Sequence, residues 1–420
     1  MAESFKIDSA HARLVFDSRG DATIEVELQS GKVAARVAAP AGKSRGKREV
    51  EYYPNNNAAE AVRVFNSVVS SRLVGRDPAD QRGVDELLTE IDGTGRFERI
   101  GGNAAYATSV ASAVLAARLM EKQPYEHIAS LSGQTPQIPM PLGNVLGGGS
   151  HAGEGAPDIQ EILVFPASVD EPLKAVKAVV TVHKALGSLL TKRVPGFTKG
   201  RGDEGAYSPN MTNEEALAAV KETVENVSDE LAVQLRMGID MAASSLYSES
   251  AKQYNHKRSG KTLDRRGQIE YVGKLIDEYG LRYVEDPLQE DDIQGFAELR
   301  KSYGETTLIC GDDLLVTRAE LVREAGKASA VNAMIIKPNQ VGTLTATMDA
   351  VREAARYGIA KIVSHRSGEA CDGVLAHIAV GLGANLIKAG IMGGERIAKA
   401  NELLRIWESS RGRLGLSRLA

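Results

Sequence analysis

The sequence predicts an α/β protein whose larger, C-terminal part is a closed βα barrel and whose smaller N-terminal part is α+β. Beyond residue 139, short apolar runs that end in polar residues alternate with helix-like stretches such as TRAELVREAG and GTLTATMDAVREAARYG. The ends of these runs fall at Asp240, Glu285, Asp312, Lys337, His365 and Lys388, in steps of 45, 27, 25, 28 and 23 residues. All but the first step match one βα unit. A closed barrel also explains why polar residues sit there, since functional groups gather at the C-terminal ends of barrel strands. An open doubly wound sheet would need a Gly-rich phosphate turn near its start. LGGGSHAG at 146–153 is Gly-rich but lacks the acidic residue about twenty positions on that would read a ribose.

Taken in order, the chain opens on strands. TIEVELQSGKVAARVAA alternates apolar and polar residues on both sides of a Gly31-Lys32 turn and predicts a β-meander. NAAYATSVASAVLAARLMEK, residues 103–122, is Ala-rich with apolar residues at helical spacing and predicts a helix. A Gly- and Pro-containing stretch around 133–139 breaks the pattern and predicts the boundary between domains at 1–134 and 135–420.

Composition excludes several classes. With 420 residues, 43% hydrophobic, 25% charged and a net charge of −4, the chain can bury a large core and has no field that would recruit nucleic acid. The basic stretches SRGKRE and NHKRSGK are short, lack interleaved aromatics and read as solvated faces. Cys310 and Cys371 stand outside any CxxC or His/Cys array, which argues against a disulfide framework or zinc site and fits a reducing cytoplasm. No apolar stretch is long enough for a bilayer, and the N-terminus lacks a signal pattern, so neither membrane insertion nor export is expected. Gly42-Lys43-Ser44 resembles the end of a P-loop, but Val37 stands where its first glycine belongs and Pro40 removes a needed N–H.

The strand ends carry the chemistry. Asp240, Glu285 and Asp312 would crowd three carboxylates at one barrel mouth, where they repel unless a cation sits among them. Hard oxygen donors in that number point to Mg²⁺. The next ends are basic: Lys337, then His365 with Arg366 and Ser367, then Lys388. A lysine among other cations is expected to have a lowered pKa and to serve as a base. Arg366 with Ser367 offers a fork and a hydroxyl suited to phosphate or carboxylate. Acids facing cations imply a small, highly anionic substrate bridged by metal, and removal of a proton next to a carboxylate is a reaction that needs such charge.

In this order the motifs are similar to those of the enolase (phosphopyruvate hydratase) family. FDSRGDATIEVEL, GGGSHAG, DIQE, GDEGAYSPN, GIDMAASSLY, VEDPLQEDD, GDDLLVT, IIKPNQVGT, SHRSGE and IKAG match over nearly the whole chain. The resemblance implies a modified (β/α)8 TIM-type barrel behind a smaller α+β domain, and a carbon–oxygen lyase that reversibly dehydrates 2-phospho-D-glycerate to phosphoenolpyruvate in glycolysis and gluconeogenesis. Enolase-superfamily sites pair a Lys or His base with Mg²⁺. Carried onto this chain, the resemblance makes Lys337 the base and Glu204 the acid. Glu161 and His151 join them at the catalytic centre, and Gln160, His365, Arg366, Ser367 and Lys388 lie on the substrate. It also implies two Mg²⁺, the first on Asp240, Glu285 and Asp312 and the second reached by Ser44 from a mobile lid, PAGKSRGKRE. A cytoplasmic homodimer or homo-octamer is the family habit.

The chain departs from the family pattern in the lid, where Lys43 and Arg45 flank the serine in place of a small residue and a threonine. Ala206 and Tyr207, Ser245, and Ala370 with Cys371 are further departures. They leave open an alternative, an enolase-like lyase acting on another phosphorylated or phosphonate acid.

Overall fold

The structure, a computed structural model, describes residues 5–43, 45–167 and 169–418, so Ser44 lies outside the described residues. The N-terminal alternation forms an antiparallel sheet of β1 (Ser9–Phe16), β2 (Ala22–Ser30) and β3 (Val33–Ala38), with Ser30 opposite Val33 across the predicted turn. Ile24, Val26 and Leu28 of β2 are fully buried at alternate positions, while Glu25 and Glu27 on the other face hold Arg13.

That buried face packs on a helix, Gly102–Leu119, three residues shorter at its C-terminal end than the sequence predicts. Glu121 turns left-handed at φ 55°, and Pro124 opens the next helix, Pro124–Ser132, so the chain cannot continue the first one through Lys122. The Ala-rich helix is buried from Gly102 to Ala117, because small side chains admit the sheet on one side and the barrel's Pro338–Gln340 turn on another.

The barrel strands are β4 (Met140–Pro141), β5 (Gly143–Gly147), β6 (Glu161–Pro166) and β7 (Leu235–Asp240). A small sheet of β8 (Tyr247–Ser248), β9 (Gln253–His256) and β10 (Lys261–Leu263) follows. Then come β11 (Tyr283–Glu285), β12 (Leu308–Gly311), β13 (Ala333–Ile336), β14 (Ala360–Ser364) and β15 (Leu386–Lys388). In space the large sheet runs β4-β15-β14-β13-β12-β11-β7-β6-β5. Because β4 and β5 are separated only by Leu142, the two edges of this order belong to one stretch of chain and the barrel closes.

Two features depart from strict βα repetition. β6 is antiparallel to both β5 and β7, and two successive helices, Pro172–Arg193 and Asn213–Leu231, separate it from β7. The β8–β10 insertion ahead of helix Arg265–Tyr279 accounts for the long first step of 45 residues. Part of that insertion, NHKRSGK, is exposed at Lys257 and Arg258 as expected, but it is also tied to the barrel. The Asp158 carboxylate accepts the Arg258 backbone N–H at 3.0 Å, and Lys261 ion-pairs with Glu214 at 2.6 Å.

Apolar residues fill two layers. Leu163, Tyr283, Cys310, Ile335, Ile362 and Leu386 form a buried cluster inside the barrel, below its polar mouth. A larger cluster lies between strands and helices and continues into the N-terminal sheet. No helix among the described residues is long and apolar enough to cross a membrane.

Candidate active site

Register brings the predicted strand-end residues to one level. Glu285 pairs with Asp240 across β11 and β7, and Ser364 pairs with Lys388 across β14 and β15. Asp312, Lys337 and His365 each follow the last residue of their strands. Glu161 arrives by a different route: it is the first residue of β6, and because β6 runs antiparallel its start lies opposite Asp240. Loops 148–160 and 200–208 complete the rim. Gly205 in the second loop is required, since a Cβ there would stand 2.1 Å from the Met392 carbonyl oxygen and φ is +79°.

These groups surround a cavity of about 220 Å³ lined by His151, Gln160, Glu161, Glu204, Asp240, Asp312, Lys337, His365, Arg366, Ser367 and Lys388. Glu285 is fully buried beneath it. The Lys388 ammonium is 2.7 Å from Glu285, 3.0 Å from Asp240 and 3.2 Å from Glu161. Burial alone would discharge this ammonium, but the surrounding carboxylates hold its pKa well above the ordinary value.

The expectation of a lowered Lys337 pKa is not met. Burial does push it down, but the Asp312 carboxylate, in direct ion-pair contact, outweighs burial and raises it. Asp312 in turn sits below the usual range: burial opposes this, and Lys337 prevails. Gln340 donates to its other oxygen at 3.0 Å.

Carboxyl protons are shared unevenly. Glu285 is raised to about 8, first by burial and then by Asp240. Glu161 is pushed well up by burial and by Glu204. For Glu204 burial acts in the same direction, but His365, His151 and Arg396 pull it well below the carboxylate range. Burial thus favours the protonated form at Glu161, while the cations around Glu204 favour its ionised form. His151 Nδ1 is 3.6 Å from Glu161 and 3.7 Å from Glu204.

The donor set fits a hard divalent cation. Glu285 Oε1 is buried without a hydrogen-bond partner, and Asp240, Glu285 and Asp312 end three neighbouring strands. Among the described residues, the groups whose donor atoms converge within 4.8 Å are His151 with Glu161 and Glu204, and Asp286 with Asp312 and Asp313, so of the three strand-end acids Asp312 alone belongs to one. Sequence reasoning passed over Asp286, whose two oxygens accept the backbone N–H groups of Asp312 and Asp313 at 2.9 Å each and so fix the Asp312 loop. The signal was the second acid of the Glu285-Asp286 doublet at the same strand end.

Glu49 was also missed, and nothing in its spacing marks it. This fully buried carboxylate takes the Arg366 fork at 3.0 and 3.2 Å, and Asn339 accepts from the same guanidinium at 3.0 Å. The fork expected to hold substrate thus holds Glu49 here. The stretch SRGKRE is likewise no free basic face: Arg45 lies 4.1 Å over the Tyr52 ring and 2.9 Å from Glu51, and Arg48 donates to the Glu290 carbonyl at 2.7 Å. Lys43 reaches both sides of the mouth, its backbone N–H donating to Ser367 Oγ at 2.7 Å and its ammonium 3.2 Å from Asp203.

The family description "Enolase, N-terminal domain" matches residues 7–128, and "Enolase, C-terminal TIM barrel domain" matches 135–413. The chain belongs to the enolase family. It is 43% identical over 402 residues to the enolase of Methanothermobacter thermautotrophicus, covering 96% of each chain. It is 45% identical over 407 residues to that of Pyrobaculum aerophilum, again covering 96% of each. The enolase of Thermoplasma acidophilum is 39% identical over 402 residues, 96% of this chain and 98% of that one. Enolase family membership implies a divalent metal, which the buried acids at this mouth are suited to hold. It also implies a small phosphorylated substrate.

Proposed function

We propose that this enolase family member reversibly dehydrates 2-phospho-D-glycerate to phosphoenolpyruvate with Mg²⁺. The observation that carries the reading is one cavity with Lys337 beside Asp312 and with Glu204 among His151, Glu161 and His365. It offers a proton acceptor and a proton donor at separate points of one small, highly charged space.

Lys337 takes the C2 proton, and the electron pair left behind moves into the substrate carboxylate. As that pair returns to form the C2–C3 double bond, the C3–O bond breaks and the hydroxyl leaves as water with a proton from Glu204. Glu161 is pushed toward its protonated form, Glu204 toward its ionised form, and His151 stands within reach of both, so Glu204 takes up the proton it delivers from this cluster. Gln160, His365, Arg366, Ser367 and Lys388 bind substrate, Arg366 by exchanging part of its pairing with Glu49 for phosphate.

Asp240, Glu285 and Asp312 would hold the first Mg²⁺, and Ser44 the second. Bound there, the metal would supply positive charge to the carboxylate that becomes dianionic, and Asp312 would be both its ligand and the partner of Lys337. Asp312 is thereby the link between metal loading and the base.

The same reading divides the chain at 1–134 and 135–420 and places it in the cytoplasm as a homodimer or homo-octamer. Phe16 and Leu14 on edge strand β1, 75% and 45% exposed, give such an assembly an apolar face. The direct test is incubation of the purified protein with 2-phosphoglycerate and Mg²⁺ while phosphoenolpyruvate absorbance is followed. No product under saturating metal would sink the proposal.

A further inference from the structure

Helix Gly394–Ser409 carries a guanidinium that the chemistry above does not use. Arg396 is fully buried, which is costly for a cation unless its donors are matched. Nε, 3.1 Å from Glu395, makes no hydrogen bond, but the two terminal nitrogens are matched in a specific way. Nη1 donates to His365 Nδ1 at 2.6 Å and to the Arg366 carbonyl at 2.7 Å. Nη2 donates to the Ser367 carbonyl at 2.5 Å and to the Asp203 carbonyl at 3.2 Å. One side chain therefore grips three successive residues of the SHRS loop and the residue that precedes Glu204.

The contact with His365 determines a tautomer. A guanidinium has donors only, so His365 Nδ1 must accept, and the ring carries its proton on Nε2. Nε2 stands 3.3 Å from Glu204 Oε2. The ring stays neutral, since burial pushes its pKa down to about 3, with Arg396 adding to the shift and Glu204 opposing it. His365 is thus a neutral ring whose protonated edge lies beside the Glu204 carboxylate without a hydrogen bond to it in this geometry, held there from behind.

We propose that Arg396 is a positioning residue for proton delivery: it locks His365 in the Nε2–H tautomer and anchors the Asp203 backbone, so that Glu204 presents its carboxyl to the leaving hydroxyl. The proposal rests on Glu204 being the acid of the reaction. With the tautomer reversed, a lone pair on Nε2 would face the carboxylate and turn it away. Lys337 has no contact with Arg396 and should abstract the C2 proton regardless.

A structural arginine would need only the three carbonyls, and removing it would weaken every step alike. Two measurements separate the cases. In long-range ¹⁵N–¹H spectra of the wild type, which has seven histidines, the His365 signals are identified by their loss in His365→Gln. They should show protonated Nε2 and bare Nδ1. Bare Nε2 would overturn the proposal without any variant of Arg396 having to fold.

The second measurement compares Arg396→Lys with the wild type in 2-phosphoglycerate turnover and in exchange of its C2 proton with deuterated solvent. Turnover should fall roughly 10- to 100-fold, the loss typical of removing a group that orients a reacting one. KM and exchange should stay within about threefold of the wild type. Equal loss of turnover and exchange would make Arg396 merely structural and overturn the proposal. If Glu204→Gln kept full turnover, the acid assignment itself would fail, whereas the His365 tautomer would still report on Arg396 alone.

Discussion

The Lys337 ammonium is ion-paired with the Asp312 carboxylate, which ties the proposed base to a proposed metal ligand through one contact. If both roles hold, loading of metal and readiness of the base are coupled, and the second prediction tests that coupling.

Replacing Lys337 by Ala and Glu204 by Gln should each cut dehydration by about 10²- to 10⁴-fold, the usual contribution of a positioned acid or base. The variants should differ in C2 proton exchange with deuterated solvent. Glu204→Gln retains Lys337 and should exchange, and Lys337→Ala should not. Equal exchange in both would show that Lys337 is not the base.

Asp312→Asn removes one proposed anionic ligand and at the same time frees Lys337 from its raising partner. The Mg²⁺ concentration for half-maximal activity should rise by at least the roughly 10- to 100-fold that loss of an outer-shell partner costs. Chelation should abolish wild-type activity, and added Mg²⁺ should restore it. An unchanged metal requirement in Asp312→Asn would remove this carboxylate from the metal site.

At the lid, Lys43 and Arg45 make half-exposed ion pairs with Asp203 and Glu51. Such pairs contribute about 0.2–1 kcal/mol each. The Lys43→Ala, Arg45→Thr double variant should keep 2-phosphoglycerate turnover while KM shifts by less than about tenfold and loses part of its salt dependence. A large gain in turnover would mean that these charges serve some other acid.

His365 gives a stability prediction with a definite sign. Its folded pKa is lowered to about 3, below the roughly 6.5 of an unfolded histidine, so it favours folding above pH 6.5. As pH falls below that, the unfolded state binds a proton that the folded state refuses. This one group should remove about 1.4 kcal/mol per pH unit. Urea titrations between pH 6.5 and 5 should show a shallower decline for His365→Gln than for the wild type. Parallel declines would place the ring outside this balance.

Much of this was legible in the chain. Asp240, Glu285, Asp312, Lys337, His365 and Lys388 follow or end short apolar strands, and a short, continuously apolar run with a polar end is a local signal. The spacing of βα units is likewise local, since each unit is one strand and one helix long. The family motifs added Glu204, His151 and Glu161 as names in a line, without saying how they meet.

The tertiary structure decided what local patterns cannot carry. Glu161 reaches the mouth because β6 runs antiparallel, a matter of pairing between strands rather than of its own sequence. Lys337 has a raised pKa because Asp312, not the neighbouring cations, is the group in contact with it. Glu49 and Arg366 are 317 residues apart, and the four acceptors of Arg396 come from loops distant in sequence. Sequence determined which groups stand at the strand ends, because periodicity is written in neighbours. Only folding decided which charges touch, and Coulomb and desolvation energies depend on distance in space and on burial.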